Sequence, residues 1–208
     1  MYNVHEITKL FEAEVATYCG AKYCAALDNG SNAIFLALKY YFAQGGQVEI
    51  NVPAHTYPSV PCEVLNAGGK IKFYPSPALL KGAYQLTPSN VWDSALWFSS
   101  DMYIKDSFMC LSFTGAYKTL KLGKGGAILT DNEDAYKWFK RKRFSGRNEC
   151  SYHEDELDET GYNFYMMPEI AARGLLLMQQ FYNADGTKKI NLPIELPYPD
   201  LSTKKAYQ

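Results

Sequence analysis

Val4, Ile7, Leu10, Phe11 and Val15 recur at helical spacing over residues 4–18, and Gly20 stops the run. "KYCAALD" (22–28) reads as a short buried strand. The turn "NGSN" (29–32) follows, and its last residues can open the helix "AIFLALKYYFA" (33–43). So few polar positions in that helix imply that it is largely buried. "QVEINV" (47–52) predicts a strand, "VPCEVLNAG" (60–68) a helix and "KIKFYP" (70–75) a further strand. The order β-α-β-α-β is that of a parallel sheet with covering helices.

The pattern then loosens. Residues 76–90 are rich in turn formers, and "VWDSALWF" (91–98) reads as a strand ending at an Asp. "FMCLSF" (108–113) and "GGAILT" (125–130) are strands on either side of a stretch holding three lysines. "DNEDAYKWFKRKRF" (131–144) is a helix capped by Asp131 or Asn132, with a basic end that suits the helix dipole. A polar loop (148–160) and an apolar helix (167–181) with Pro168 near its first turn follow. From Asn183 the chain is rich in Pro, Asp and Lys, and it reads as an extended tail, partly ordered against a partner.

Composition narrows the function. A chain of 208 residues fits one domain, or one with a small appendage. The net charge of −1 removes the electrostatic case for nucleic acid or an anionic membrane surface. Five cysteines, an odd number with no Cys-x-x-Cys pair, argue against a disulfide framework or a zinc site. The first residues lack the basic and apolar regions of a signal peptide, and no apolar run approaches membrane-spanning length. The expectation is a soluble, cytoplasmic protein.

Four places combine chemistry with a strand end or turn, where open α/β sheets bind ligands. The turn Asn29-Gly30-Ser31-Asn32 offers a hydroxyl and helix-start N–H groups to a phosphate, and it reads equally as a plain capped turn. Asp93 ends a strand; such a carboxylate either stabilises a protonated cofactor ring nitrogen or serves as a helix cap for the next residues. Tyr57 could lie over a flat ligand, or serve a core or an interface. "SFTGAYKTLKLGKGG" (112–126) holds Lys118, Lys121 and Lys124. A buried lysine can form a Schiff base with a carbonyl-bearing cofactor, whereas most lysine clusters are solvated loops. The spacing excludes a P-loop, since seven residues separate Gly115 from Gly123-Lys124 and Gly125 comes next.

With these sites goes a resemblance. "FEAEVATYCGAKYCAALDNGSNAIFLAL", "VEINVPAHTYPSVPCEVLNAGGKIKFYP", "VWDSA", "CLSFTGAYKTLKLGKGGAILTDNEDAYKWFKRKR" and "GYNFYMMPEIAARGL" resemble, in order, the DegT/StrS-type sugar aminotransferases. These are fold-type-I enzymes that use pyridoxal 5′-phosphate (PLP). The resemblance covers most of residues 8–178 and implies a three-layer α-β-α fold with a mostly parallel central sheet. It implies that Gly30, Ser31, Asn32 and Ser112 hold the cofactor phosphate, that Tyr57 stacks on the ring and that Asp93 pairs with the ring nitrogen. It implies that Asn163 reaches the phosphate of a neighbouring subunit, hence a homodimer with shared active sites.

The family pattern also points to a reactive lysine. Counting back from Gly125 gives Lys118, and counting forward from Ser112 gives Tyr117. The chain therefore carries one extra residue, which a bulge or widened turn at Gly115 would absorb. Lys118 is the expected Schiff-base residue. Three departures from the family stand out. Residues 76–90 are a short linker where full-length members carry a strand and a helix. Residues 183–208 form a tail in place of the small domain, leaving 1–182 as the cofactor-binding domain. Leu96 stands where His or Gln is usual. The implied function is transfer of an amino group from glutamate or glutamine to a keto-sugar nucleotide. The alternatives are a degenerate PLP-binding or assembly module without turnover, and a PLP enzyme acting on a small amino acid.

Overall fold

The computed structural model describes residues 5–207, so Val4 of the first helical pattern lies outside the described residues. The chain runs α1 (Glu6–Cys19), β1 (Tyr23–Leu27), α2 (Gly30–Ala43), β2 (Glu49–Pro53), α3 (Ser59–Asn66) and β3 (Lys70–Tyr74). It continues β4 (Leu79–Lys81), β5 (Tyr84–Gln85), β6 (Val91–Asp93), β7 (Phe108–Ser112), β8 (Gly126–Thr130) and α4 (Glu133–Arg143). α5 (Pro168–Met178) and β9 (Glu195–Pro197) complete it.

Local chemistry sets the helix ends. Gly20 takes a left-handed φ of 78° and its N–H closes α1 on Ala16 O. The Asn29 side chain accepts from Asn32 N–H at 2.8 Å and starts α2. Of the two candidate caps of α4, Asn132 takes the role, accepting from Ala135 N–H at 2.9 Å. Pro168 occupies the first turn of α5, where no N–H partner is needed.

The main sheet has the order β1-β8-β7-β6-β5. β6 and β7 are parallel, while β8 runs against both β7 and β1. Strands β1, β6 and β7 therefore share one direction, and β8 and β5 oppose it. β2 and β3 make a separate parallel pair. Asn51 N–H of β2 donates to Thr87 O at 2.7 Å, so the segment following β5 touches the β2–β3 pair. Where the sequence shows only turn formers, the linker supplies β4 and β5.

Alternation along the strands sends side chains to two faces. Ala25 and Leu27 of β1 join Ile34, Leu38, Val60, Phe108 and Phe139 on one face. Cys24 and Ala26 join Phe11, Val15, Met109, Leu129 and Met178 on the other. Helices α2, α3 and α4 thus cover one side and α1 and α5 the other, giving the three-layer α/β architecture. All five cysteines are free. Among the described residues, no helix is long and apolar enough to cross a membrane.

The basic end of α4 does more than face its helix dipole. Arg143, 1% exposed, pairs with Glu12 of α1, donates to Ala26 O and meets Glu149 Oε1 at 2.7 Å. Lys140 Nζ lies 2.8 Å from Glu12 and 2.9 Å from Glu149. Glu12 Oε1 also accepts Ala26 N–H at 2.8 Å, anchoring β1. Burial opposes ionisation of Glu149, but Arg143 and Lys140 overcome it and draw its carboxyl down to about 2.

The tail does not project. β9 pairs antiparallel with β4, and Leu201 is buried. Ile194 N–H donates to Leu96 O (2.7 Å), Tyr198 N–H to Ala78 O (3.0 Å) and Leu201 N–H to Ala54 O (2.8 Å). The expected order of this segment comes from its own chain: it straps from the end of β6 to the end of β2.

Candidate active site

A cavity of about 320 Å³ opens where β6, β7 and α2 converge. Asn29, Gly30, Ser31, Tyr57, Asp93, Ser112 and Lys118 all line it. The first turn of α2 provides one end. Its early N–H groups have no intrahelical acceptor, so they and the helix dipole favour an anion there. Ser31 Oγ donates to Ser59 Oγ at 2.7 Å, placing two hydroxyls at that end. Gly30 is needed for close packing: a Cβ there would lie 2.7 Å from Ser112 Cβ and 3.1 Å from Leu111 O. Without that side chain α2 seats directly on the end of β7.

Asp93, 4% exposed, ends β6. Its Oδ1 accepts Ala95 N–H at 2.9 Å, and its Oδ2 accepts the Tyr84 hydroxyl at 2.8 Å. Burial pushes the Asp93 carboxyl up, against the Ala95 N–H, the Tyr84 hydroxyl and the Lys118 charge.

Lys118 is 5% exposed, whereas Lys121 and Lys124 are exposed. Its Nζ donates to Ala95 O at 2.5 Å and lies 5.0 Å from the centroid of the Tyr117 ring. Burial lowers the Lys118 amine from 10.5 to about 8, with Asp93 working against the shift. An amine in that range is partly unprotonated near neutral pH, the form that attacks a carbonyl. The chain turns at Gly115 just before Lys118: the Gly115 φ is 110° and its O accepts Lys118 N–H at 3.4 Å. Glycine adopts that backbone angle without strain.

Two expected residues stand apart. Asn32 does not line the cavity: its N–H is held by Asn29 and its side chain donates to Asp28 Oδ1 at 2.8 Å. Asn163 is exposed in a bridge with Phe144, away from the cavity. Three further tyrosines line the cavity without a role assigned from the sequence. Tyr84 comes from the turn-rich linker, Tyr117 from the lysine stretch and Tyr198 from the tail. Tyr198 packs edge-on against Tyr57 at 6.2 Å, so the tail supplies part of the outer wall. Only the register of β5 against β6, Tyr84 opposite Asp93, reveals the first of these.

Known proteins share this frame. The model of the DegT/DnrJ/EryC1/StrS aminotransferase family matches residues 2–76 and 104–192. A dTDP-3-amino-3,6-dideoxy-alpha-D-galactopyranose transaminase of Aneurinibacillus thermoaerophilus is 45% identical over 47 residues, 23% of this chain and 13% of that protein. The crystal structure of AtS13 from Actinomadura melliaura superimposes with a TM-score of 0.72 at 18% identity, over 84% of this chain and 60% of that one. Helicobacter pylori PseC, an aminotransferase involved in the biosynthesis of pseudoaminic acid, gives 0.68 at 15% identity, over 84% and 57%. The chain thus spans about 60% or less of the proteins it resembles.

Proposed function

The chain belongs to the DegT/DnrJ/EryC1/StrS aminotransferase family, and from that premise we propose that it is a PLP-dependent aminotransferase. Its acceptor is a keto-sugar nucleotide and its donor glutamate or glutamine. One observation carries the reading: a buried amine lowered to about 8 shares a cavity with a buried carboxylate and a helix N-terminus.

The donor set fits the cofactor. The α2 N-terminus with Ser31 and Ser112 would hold a phosphate, Tyr57 would flank a ring and Asp93 would face a ring nitrogen. When bound, PLP supplies a carbonyl carbon and a pyridine ring that serves as an electron sink. The residues do the rest. Lys118 offers an unprotonated amine, and once free it carries a proton to and from the reacting carbon as general base and acid. Asp93, held by Ala95 N–H and Tyr84, keeps negative charge beside the ring nitrogen. Tyr57, Tyr117 and Tyr198 wall the cavity, and the Lys118 side chain within it is buried.

In this reading residues 1–182 are the cofactor-binding domain, with a short linker at 76–90, and residues 183–208 strap across it. The protein acts in the cytoplasm as a homodimer. Asn163, exposed and outside its own cavity, is free to serve the site of a second copy.

A second reading, a PLP enzyme for a small amino acid, is favoured by the outer wall, because Leu80, Gly82 and Tyr198 close in on a cavity of only about 320 Å³. Borohydride reduction in the presence of PLP, followed by peptide mass analysis, tests both. A reduced cofactor adduct on Lys118, lost in Lys118→Ala, is expected. A protein that takes up no PLP overturns both readings. Conversion of the bound cofactor to its amino form by glutamate, reversed by keto-sugar nucleotides, supports the first. Reversal by small keto acids alone supports the second.

A further inference from the structure

We propose that Tyr84, donating to Asp93 and accepting from Thr56, is the positioning residue that fixes the Asp93 carboxylate and thereby governs how it receives a protonated ring nitrogen. The inference rests on the cofactor reading, and adds a residue from the linker that the sequence pattern left without a role.

Strand register brings the pair together, Tyr84 standing opposite Asp93 on β5 and β6. The Tyr84 hydroxyl donates to Asp93 Oδ2 at 2.8 Å, and Thr56 Oγ1 lies 2.5 Å from the same hydroxyl. An ionised carboxylate only accepts, so the single Tyr84 hydrogen points at Asp93. Thr56 must then donate to the Tyr84 oxygen, giving a one-way chain Thr56→Tyr84→Asp93. Thr56 and Asp93 are buried, 0% and 4% exposed. With Ala95 N–H on Oδ1, each carboxylate oxygen has one donor and keeps accepting capacity toward the cavity.

The chain matters because little else favours the charged form. The ionisable groups around Asp93 are Tyr84, Lys118, Cys110 and Tyr198, and Lys118 is the only cation among them. Burial opposes ionisation, while the Ala95 N–H, the Tyr84 hydroxyl and Lys118 support it. Removing the hydroxyl would leave Oδ2 buried without that donor, and the neutral acid would gain ground. A neutral Asp93 cannot pair with a ring cation.

The test uses Tyr84→Phe and Thr56→Val in the full chain, with PLP titrated by absorbance from about pH 5.5 to about pH 9. Tyr84→Phe is expected to weaken PLP binding about tenfold, with the loss greatest at the acid end. Thr56→Val should act in the same direction by about threefold, and carries the test if Tyr84→Phe does not fold. A loss equal at every pH, or no loss, overturns the proposal. A second readout needs no cofactor. Carbon-13 NMR of labelled Asp carboxyls, with the Asp93 signal assigned by its disappearance in Asp93→Asn, follows the titration directly. In Tyr84→Phe the Asp93 midpoint should rise by about one unit, and an unchanged midpoint refutes the role. If the wild-type protein takes no PLP, the cofactor reading fails while the carboxyl titration still decides the role of Tyr84.

Discussion

Lys118 and Arg143 are both buried cations, 5% and 1% exposed, yet their surroundings differ in kind. Arg143 is enclosed by opposite charge: Glu12 and Glu149 meet it, Lys140 bridges the same two carboxylates, and Ala26 O takes a further hydrogen. Lys118 has one carbonyl, an aromatic face and a carboxylate close enough to act only as an opposing influence. The first arrangement keeps its charge and ties α1 to α4. The second makes charge costly and so frees the amine to react. Desolvation is shared by both regions; pairing decides whether burial yields an anchor or a nucleophile.

The comparison breaks most visibly at Arg143. Arg143→Ala leaves the buried Glu12 and the half-buried Glu149 with Lys140 as their remaining cation, and urea unfolding should report a loss of about 3 kcal/mol. Acid exposes the same network. Glu149 has a depressed carboxyl, so its stabilising contribution is present above about pH 4.5 and is lost as pH falls toward about 2.

Next in size is Gly30→Ala, which forces a methyl into the Ser112 contact. Overpacking of this kind costs about 1–3 kcal/mol, read as a lower urea midpoint. It should also lift the α2 N-terminus from β7 and weaken phosphate binding at that end.

Lys118→Met has the smallest effect on stability. It removes a poorly compensated charge, and thermal unfolding should stay within about 1 kcal/mol of wild type. The sign of its pH dependence sharpens the contrast. The Lys118 amine is lowered in the folded state, so its destabilising effect is full below about pH 8 and is relieved as pH rises from about 8 toward 10.5. Wild-type stability should gain over that interval relative to Lys118→Met. Equal pH profiles would show that the amine is not desolvated.

Much of the frame was legible in the pattern. Strands and helices up to residue 75 follow from apolar periodicity and from the turn chemistry at Gly20 and Asn29, since those signals are local. The linker 76–90 was not, because β4 and β5 are only three and two residues long and exist through pairing with β9 and β6. The role of Arg143 was hidden for a related reason. A basic helix end reads only as suiting the helix dipole, and the two carboxylates that pair with Arg143 come from residues 12 and 149.

The sequence by itself carried the α/β class, through periodicity and turn chemistry that are local, and its resemblance to a known family singled out Lys118 among three lysines as the expected reactive residue. Only the tertiary structure decided that Lys118 lacks a close ion-pair partner among the described residues, that Tyr84 holds Asp93 and that the tail walls the cavity with Tyr198. Those properties depend on burial and on contacts between residues far apart in sequence, such as Tyr57 with Tyr198 and Lys118 with Ala95. Desolvation is a property of a place in the fold, and no local pattern encodes it.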